Sequence, residues 1–258
     1  MKNIYFIIYF IIFVPLFFSV DPVKGDHIII AADNWCPINC EPGTSMPGYM
    51  VETARKIYEK EGHTVEYIVR PWARAIHECR TGKINGIIGA FKGDAPDFIF
   101  PENELGLISQ AFFVKTASTW SYNGIKSLEG VKLGAIIDYD YGEELTQYIE
   151  KNKDSRMVDL IGGSDPLMMN INKLMGDRID VIIEVPPVLW YKASEMGVKD
   201  QLRVAGRMDE PESAYIAFSP DNHSSQKYAD ILSHGIENLR RSGELKKILE
   251  KYGLEDWK

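Results

Sequence analysis

The side chains able to do chemistry in this chain collect directly after short apolar runs. Asp33 and Trp35 follow the run at 27–32, and Phe91 and Lys92 follow the run at 84–90. Asp138, Tyr139, Asp140 and Tyr141 follow the run at 131–137, and Glu184 closes the run at 179–184. Tyr49 stands after Gly48 at the start of one helix pattern, and Trp72 and Arg74 open another. The rings of Trp35, Tyr49, Trp72, Phe91, Tyr139 and Tyr141 could sandwich an organic solute. Lys92 or Arg74 can pair with a carboxylate, Arg through a two-pronged contact. Glu184, Asp138 or Asp140 can receive an amine, and the backbone N–H groups at Gly48-Tyr49 suit an anion. Each of these residues also has a plain structural role open to it. Trp72 lies on an apolar stripe and could be core, Arg74 could lie on a solvated face, and Tyr139 and Tyr141 could be loop surface. An acid such as Glu184 at the end of a buried strand needs a partner.

Other chemistries have little support. No Ser-His-Asp or Cys-His arrangement is present, and His27, His63, His77, His223 and His234 are scattered. None has ligand spacing to Cys36, Cys40 or Cys79, so neither a metal site nor a cofactor is expected. Cys36-Pro-Ile-Asn-Cys40 could close a small loop in an oxidising compartment, metal binding being the other reading of the pair. Cys79 falls on the apolar stripe of its helix, where a buried, inert thiol is expected.

The elements that must position these residues follow from periodicity. One phrase occurs twice: Arg-Thr-Gly-Lys-Ile-Asn-Gly-Ile-Ile-Gly-Ala at 80–90 and Met-Gly-Asp-Arg-Ile-Asp-Val-Ile-Ile-Glu-Val at 175–185. Each follows an amphipathic helix pattern and reads as helix, turn and fully apolar strand. Strands at 27–32, 64–69 and 84–90, with helices between them, predict a parallel sheet with helices on both faces. A second α/β unit starts at 131–137, with helices at 142–151 and along Leu167, Ile171, Leu174 and Met175. Pro186-Pro187 halts a strand and opens the next helix. A strand at 214–219 and two helices end the pattern, the first striped by Tyr228, Ile231, Leu232, Ile236 and Leu239 and the second spanning 244–252. An apolar run at 111–116 could leave the first lobe. The expected organisation is a leader at 1–25, a discontinuous first lobe of 26–115 plus 212–258, and a second lobe of 116–211.

Bulk properties agree with an exported globular protein. The chain has 258 residues, 45% of them apolar and 26% charged, the profile of a soluble fold large enough for two lobes. Its net charge is −8, or −9 without residues 1–25, which hold Lys2, Lys24 and Asp21. That opposes nucleic-acid binding, which needs a basic face. Lys2 and an apolar run at 4–20 broken by Pro15 read as a secretory signal peptide, with Val23-Lys24-Gly25 a plausible cleavage site. An uncleaved anchor is the alternative, at borderline length.

Taken in order, the segments resemble the bacterial extracellular solute-binding proteins of family 3, the periplasmic receptors of polar amino-acid ABC transporters. Pro47-Gly48-Tyr49 resembles the family's Gly-aromatic-acid segment, with Met50 where an acid is usual. Pro71-Trp72-Ala73-Arg74-Ala75 with Gly82-Lys83-Ile84-Asn85-Gly86-Ile87-Ile88 is similar to its helix and third strand. Ser127-Leu128-Glu129-Gly130-Val131-Lys132-Leu133-Gly134, Ala214-Tyr215-Ile216-Ala217-Phe218 and Gly243-Glu244-Leu245-Lys246-Lys247-Ile248 resemble its second-lobe opening, return strand and closing helix. The resemblance implies a periplasmic-binding-protein-like α/β fold of type II, two lobes joined by a two-strand hinge. Amino-acid binders of the family usually carry an Arg after the third strand for the ligand carboxylate. Here the stretch is Phe91-Lys92-Gly93-Asp94-Ala95-Pro96-Asp97, and Lys92 is a point charge, not a fork. Glu184 falls where the family often places an Asp that receives the ligand amine. An atypical amino acid, an amine or another small polar metabolite is therefore implied.

The resemblance implies a periplasmic binding protein, not an enzyme. It would be a monomer that closes on a small solute and delivers it to an ABC permease in the inner membrane. Two alternatives are an exported cyclohexadienyl dehydratase-like enzyme on the same fold, with Glu184 as its acid–base group, and a stand-alone periplasmic sensor.

Overall fold

The computed structural model describes residues 25–208 and 210–258. Residues 1–24 of the expected leader lie outside them, and among the described residues no helix is long and apolar enough to cross a membrane.

The first lobe begins with β1 (His27–Ala32), α1 (Tyr49–Lys60), β2 (Thr64–Val69), α2 (Trp72–Arg80) and β3 (Gly86–Ala90). β1 pairs in parallel with β2 and β3. The short β4 (Gly106–Ile108) follows, and the chain then crosses to the second lobe. There lie β5 (Ala111–Lys115), β6 (Leu133–Ile136), α3 (Glu143–Asn152), β7 (Val158–Ile161), α4 (Pro166–Met175), β8 (Val181–Glu184), α5 (Pro186–Glu195) and β9 (Leu202–Arg207). β10 (Glu212–Phe218) returns to the first sheet and pairs antiparallel with β3 and β4. α6 (Ser225–Ser242) and α7 (Glu244–Lys251) then pack on that lobe, separated by Gly243 in the left-handed conformation favoured at helix C-termini.

The two five-stranded sheets run β2-β1-β3-β10-β4 and β7-β6-β8-β5-β9. In each, three parallel strands are followed by an antiparallel one, and the duplicated phrase supplies the third parallel strand both times, as β3 and β8. Both strands are buried along their whole length, which accounts for their unbroken apolar composition. The helices α1, α2, α6 and α7 cover the first sheet and α3, α4 and α5 the second, giving the two-lobe type II arrangement.

The crossing point differs from the sequence expectation. Residues 111–115 were expected to belong to the first lobe as the run that leaves it, but β5 pairs antiparallel with β8 and β9 in the second sheet. The outgoing connection is therefore Ser109-Gln110, and the run is apolar because it is a central strand. The two connections touch, since the Met208 N–H donates to the Gln110 carbonyl at 2.9 Å.

Phe112 of β5 is fully buried and stacks on Tyr122 at 4.0 Å between ring centroids. Phe112→Ala should lower stability by about 3–5 kcal/mol through lost burial and an unfilled cavity. A fall in the urea midpoint at unchanged slope is the expected readout.

Candidate functional site

The loop after β1 is braced from within. The Trp35 N–H donates to the Asn39 carbonyl at 2.9 Å, and the Asn39 amide donates to the Asp33 carbonyl at 2.7 Å and to the Tyr67 hydroxyl at 3.1 Å. A disulfide joins Cys36 to Cys40. The Trp35 indole then lies against the end of β3, where Gly89 has φ +84°. A Cβ at Gly89 would stand 3.2 Å from the indole and 3.3 Å from Asn39 Oδ1. Glycine thus meets two demands at one position.

Four hydrogen bonds cross between the lobes at the carboxyl ends of their strands, where open α/β sheets bind ligands. Trp35 Nε1–H donates to Glu184 Oε1 at 2.8 Å, and the Val185 N–H donates to the same oxygen at 2.6 Å. The Tyr139 hydroxyl donates to Asp33 Oδ2 at 2.7 Å. Trp72 Nε1–H donates to the Asp138 carbonyl at 3.0 Å. The Asp140 N–H donates to Asp94 Oδ1 at 2.8 Å, while Asp94 Oδ2 accepts the Phe91 N–H at 2.7 Å. These bonds ring a cavity of about 20 Å³ whose polar and aromatic walls are Asp33, Trp35, Asn39, Trp72, Phe91, Asp94 and Tyr139. Trp72 meets Tyr139 edge to face at 5.8 Å, and Trp35 meets Phe91 in the same way at 6.3 Å.

The electrostatics are one-sided. Asp33 is 2% exposed and Glu184 4% exposed. Burial pushes Asp33 up to about 7; the Tyr139 hydrogen bond works against this, and the charge of Asp165 adds to it. Burial pushes Glu184 up to about 7 despite its bonds from Trp35 and Val185, with Asp33 adding to the rise. Asp94 is raised to about 8, chiefly by desolvation and further by Asp140. Among the described residues no Lys, Arg or His lines the cavity.

Asp33, Trp35, Trp72, Phe91 and Tyr139 come together on this cavity, and Glu184 is tied to it through Trp35. Other expected residues lie elsewhere. Arg74 is on the solvated face of α2, paired with Glu78 at 2.7 Å. Lys92 is exposed, with its ammonium over the Tyr215 ring at 5.5 Å. Tyr49 is buried beside Gly106 of β4 and lines a different groove. The Asp138 side chain is exposed, and only its carbonyl reaches the cleft. The Tyr141 hydroxyl accepts the Ile136 N–H at 2.8 Å within the second lobe. The N-terminal amides of α1 are not free for an anion either: Tyr49 and Met50 donate to the carbonyls of Pro37 and Ile38. Sequence reasoning missed Asn39 and Asp94. Both are short polar residues in loops that follow parallel strands, the one signal available for them.

Residues 28–255 match the profile of the bacterial extracellular solute-binding proteins, family 3. The chain belongs to that family. Among curated protein sequences none matches it significantly. Similar solved structures include a histidine kinase sensor domain with similarity to periplasmic binding proteins, at 19% identity and TM-score 0.76, covering 90% of this chain and 99% of that one. EhuB in complex with hydroxyectoine matches at 19% identity and TM-score 0.73, covering 89% of each chain. A structure from work on glutathione import through GshT and the cystine importer of Streptococcus mutans matches at 19% identity and TM-score 0.72, covering 90% of this chain and 98% of that one. At such identities the likeness establishes the fold. The family 3 architecture thus carries here a cleft whose charged walls are all acidic.

The raised carboxyls make stability depend on pH. Each binds its proton more tightly in the folded protein than at its ordinary value near 4, so the folded state holds more protons across the interval between the two values. Stability should therefore fall as pH rises from about 4 through 8. Glu184→Gln, which keeps an acceptor for Trp35 Nε1 but carries no charge, should make that fall shallower. Urea midpoints at pH 5, 6, 7 and 8 for both proteins measure it.

Proposed function

We propose that this chain is a periplasmic solute-binding protein, exported by its N-terminal leader, that captures a small organic solute between its lobes by hinge closure for an ABC-type importer. The observation that carries this reading is the set of four cross-lobe hydrogen bonds around an aromatic-lined cavity. The lobes meet through the cleft residues themselves, so a solute held between them as they part and close again would touch both. Binding without turnover suits the lining, which holds no Ser, Thr, Cys, Lys or His. Carriage to an importer requires only that the filled, closed form differ in shape from the empty one.

Gly93 provides a way to test closure. A Cβ there would collide with Asp140 Oδ2 across the cleft, and Asp140 is held by the Gly142 N–H on Oδ1 at 2.9 Å. Gly93→Ala should leave each lobe folded and hold the two apart. Residues 26–258 would be screened by thermal shift against amino acids, amines, organic acids and small sugars. A binder at a hundred times its dissociation constant should add about 2.7 kcal/mol of stability. In small-angle scattering that binder should contract the wild-type protein and leave Gly93→Ala extended. A stabilising solute that contracts neither protein would count against closure. Slow consumption of the solute would favour the acid–base enzyme reading, for which carboxyls held near neutrality are the motivating observation.

A further inference from the structure

We infer that the cleft selects a small organic cation that carries N–H donors and lacks a carboxylate, and so discriminates against the zwitterionic amino acids that share the same amine. This rests on the solute-capture reading and narrows its ligand class. The inference follows from an inventory of what the cavity offers. Its side-chain donors are already committed: Trp35 Nε1–H to Glu184, Trp72 Nε1–H to the Asp138 carbonyl, and the Tyr139 hydroxyl to Asp33. The Asn39 amide donates to the Asp33 carbonyl and the Tyr67 hydroxyl. With the carboxyl groups ionised, what remains is acceptors. Asn39 is fully buried, and its Oδ1 has no hydrogen-bond partner. Asp33 and Asp94 keep lone pairs beyond those their donors use. A buried acceptor left unsatisfied is costly, and a ligand N–H is the complement that the site lacks.

The rings point the same way. Trp35, Trp72, Phe91 and Tyr139 form two edge-to-face pairs on the cavity. Aromatic faces attract a cation, most strongly when both are withdrawn from water. A ligand carboxylate would find nothing to pair with. The two cations that could have received one are engaged elsewhere, Arg74 with Glu78 and Lys92 over the Tyr215 ring. It would instead approach Asp33 and Asp94, and like charges in a water-poor cavity repel strongly.

The test compares molecules that differ only by that carboxylate: agmatine against arginine, cadaverine against lysine, putrescine against ornithine. Calorimetric titration of residues 26–258 at pH 8 should give at least one amine binding a hundredfold or more tighter than its amino acid. Asp33→Asn should weaken that amine tenfold or more while the circular dichroism spectrum and the Gly93-dependent contraction at saturation persist. Equal or tighter binding of the amino acids overturns the inference and leaves solute capture standing. Contraction with an organic acid or a sugar alone has the same meaning. Silence across amines, amino acids, acids and sugars overturns both.

Discussion

The cleft is governed by two buried carboxyl groups, Asp33 and Glu184, and a half-buried one, Asp94, with no basic side chain among the described residues lining the cavity between them. Asp33 and Asp94 come from the first lobe and Glu184 from the second. A carboxylate in a medium of low polarity is costly unless a positive charge or several donors compensate it. Here the donors are few: one indole and one backbone amide on Glu184, one phenol and its own backbone amide on Asp33, two backbone amides and the Trp72 indole on Asp94. Their effect is smaller than that of burial, because all three groups still titrate near neutrality. In the proposed cycle, contact between the lobes is therefore linked to a positive charge in the cleft, delivered either as protons on these groups or as a cation that leaves them ionised.

The aromatic residues serve the same constraint. Trp35, Trp72 and Tyr139 each use a polar tip to bridge the lobes and an apolar body to exclude water from the acids. This explains why their donors are spent on protein acceptors. If they were free, a second class of ligand could use them. The braced loop and Gly89 hold the Trp35 ring where its N–H meets Glu184, so the disulfide loop, the end of β3 and the end of β8 act on one bond.

Most of the lobe architecture was legible in the sequence, because fully buried parallel strands are apolar throughout. The repeated phrase located β3 and β8, and Pro186-Pro187 marked the start of α5. The strands that escaped notice, β4, β7 and β9, stand at sheet edges. β4 has three residues, one of them glycine, and β7 and β9 carry charges among their apolar positions. That is how edges avoid pairing with other chains, and it blurs their alternation. β5 was visible as a strand, but an apolar run does not say which sheet it joins. In the site, the rule that ligands sit beyond strand ends found Asp33, Trp35, Phe91, Tyr139 and Glu184. It could not say that Arg74 and Lys92 point outward, since helix phase and loop direction are settled by packing against neighbours that are distant in sequence.

The connections between the lobes constrain how such a cleft could work. The outgoing link is two residues and the return spans 208–211, and the pair are hydrogen-bonded to each other through Met208 and Gln110. Links this short leave little room for translation, so under the proposed closure the lobes would move mainly by rotation about them. Rotation about a fixed axis brings cleft atoms into register at one angle only. The Gln110 side chain, at that axis, donates to the Asp140 carbonyl at 3.1 Å, and the Asp140 N–H in turn bonds Asp94. The outgoing connection is thereby tied by two hydrogen bonds to an acid of the first lobe. A solute of the wrong size or charge that held the walls apart would break this chain along with the Trp35 and Tyr139 bonds. Closure would therefore report on the fit of the whole cavity and not on any single contact.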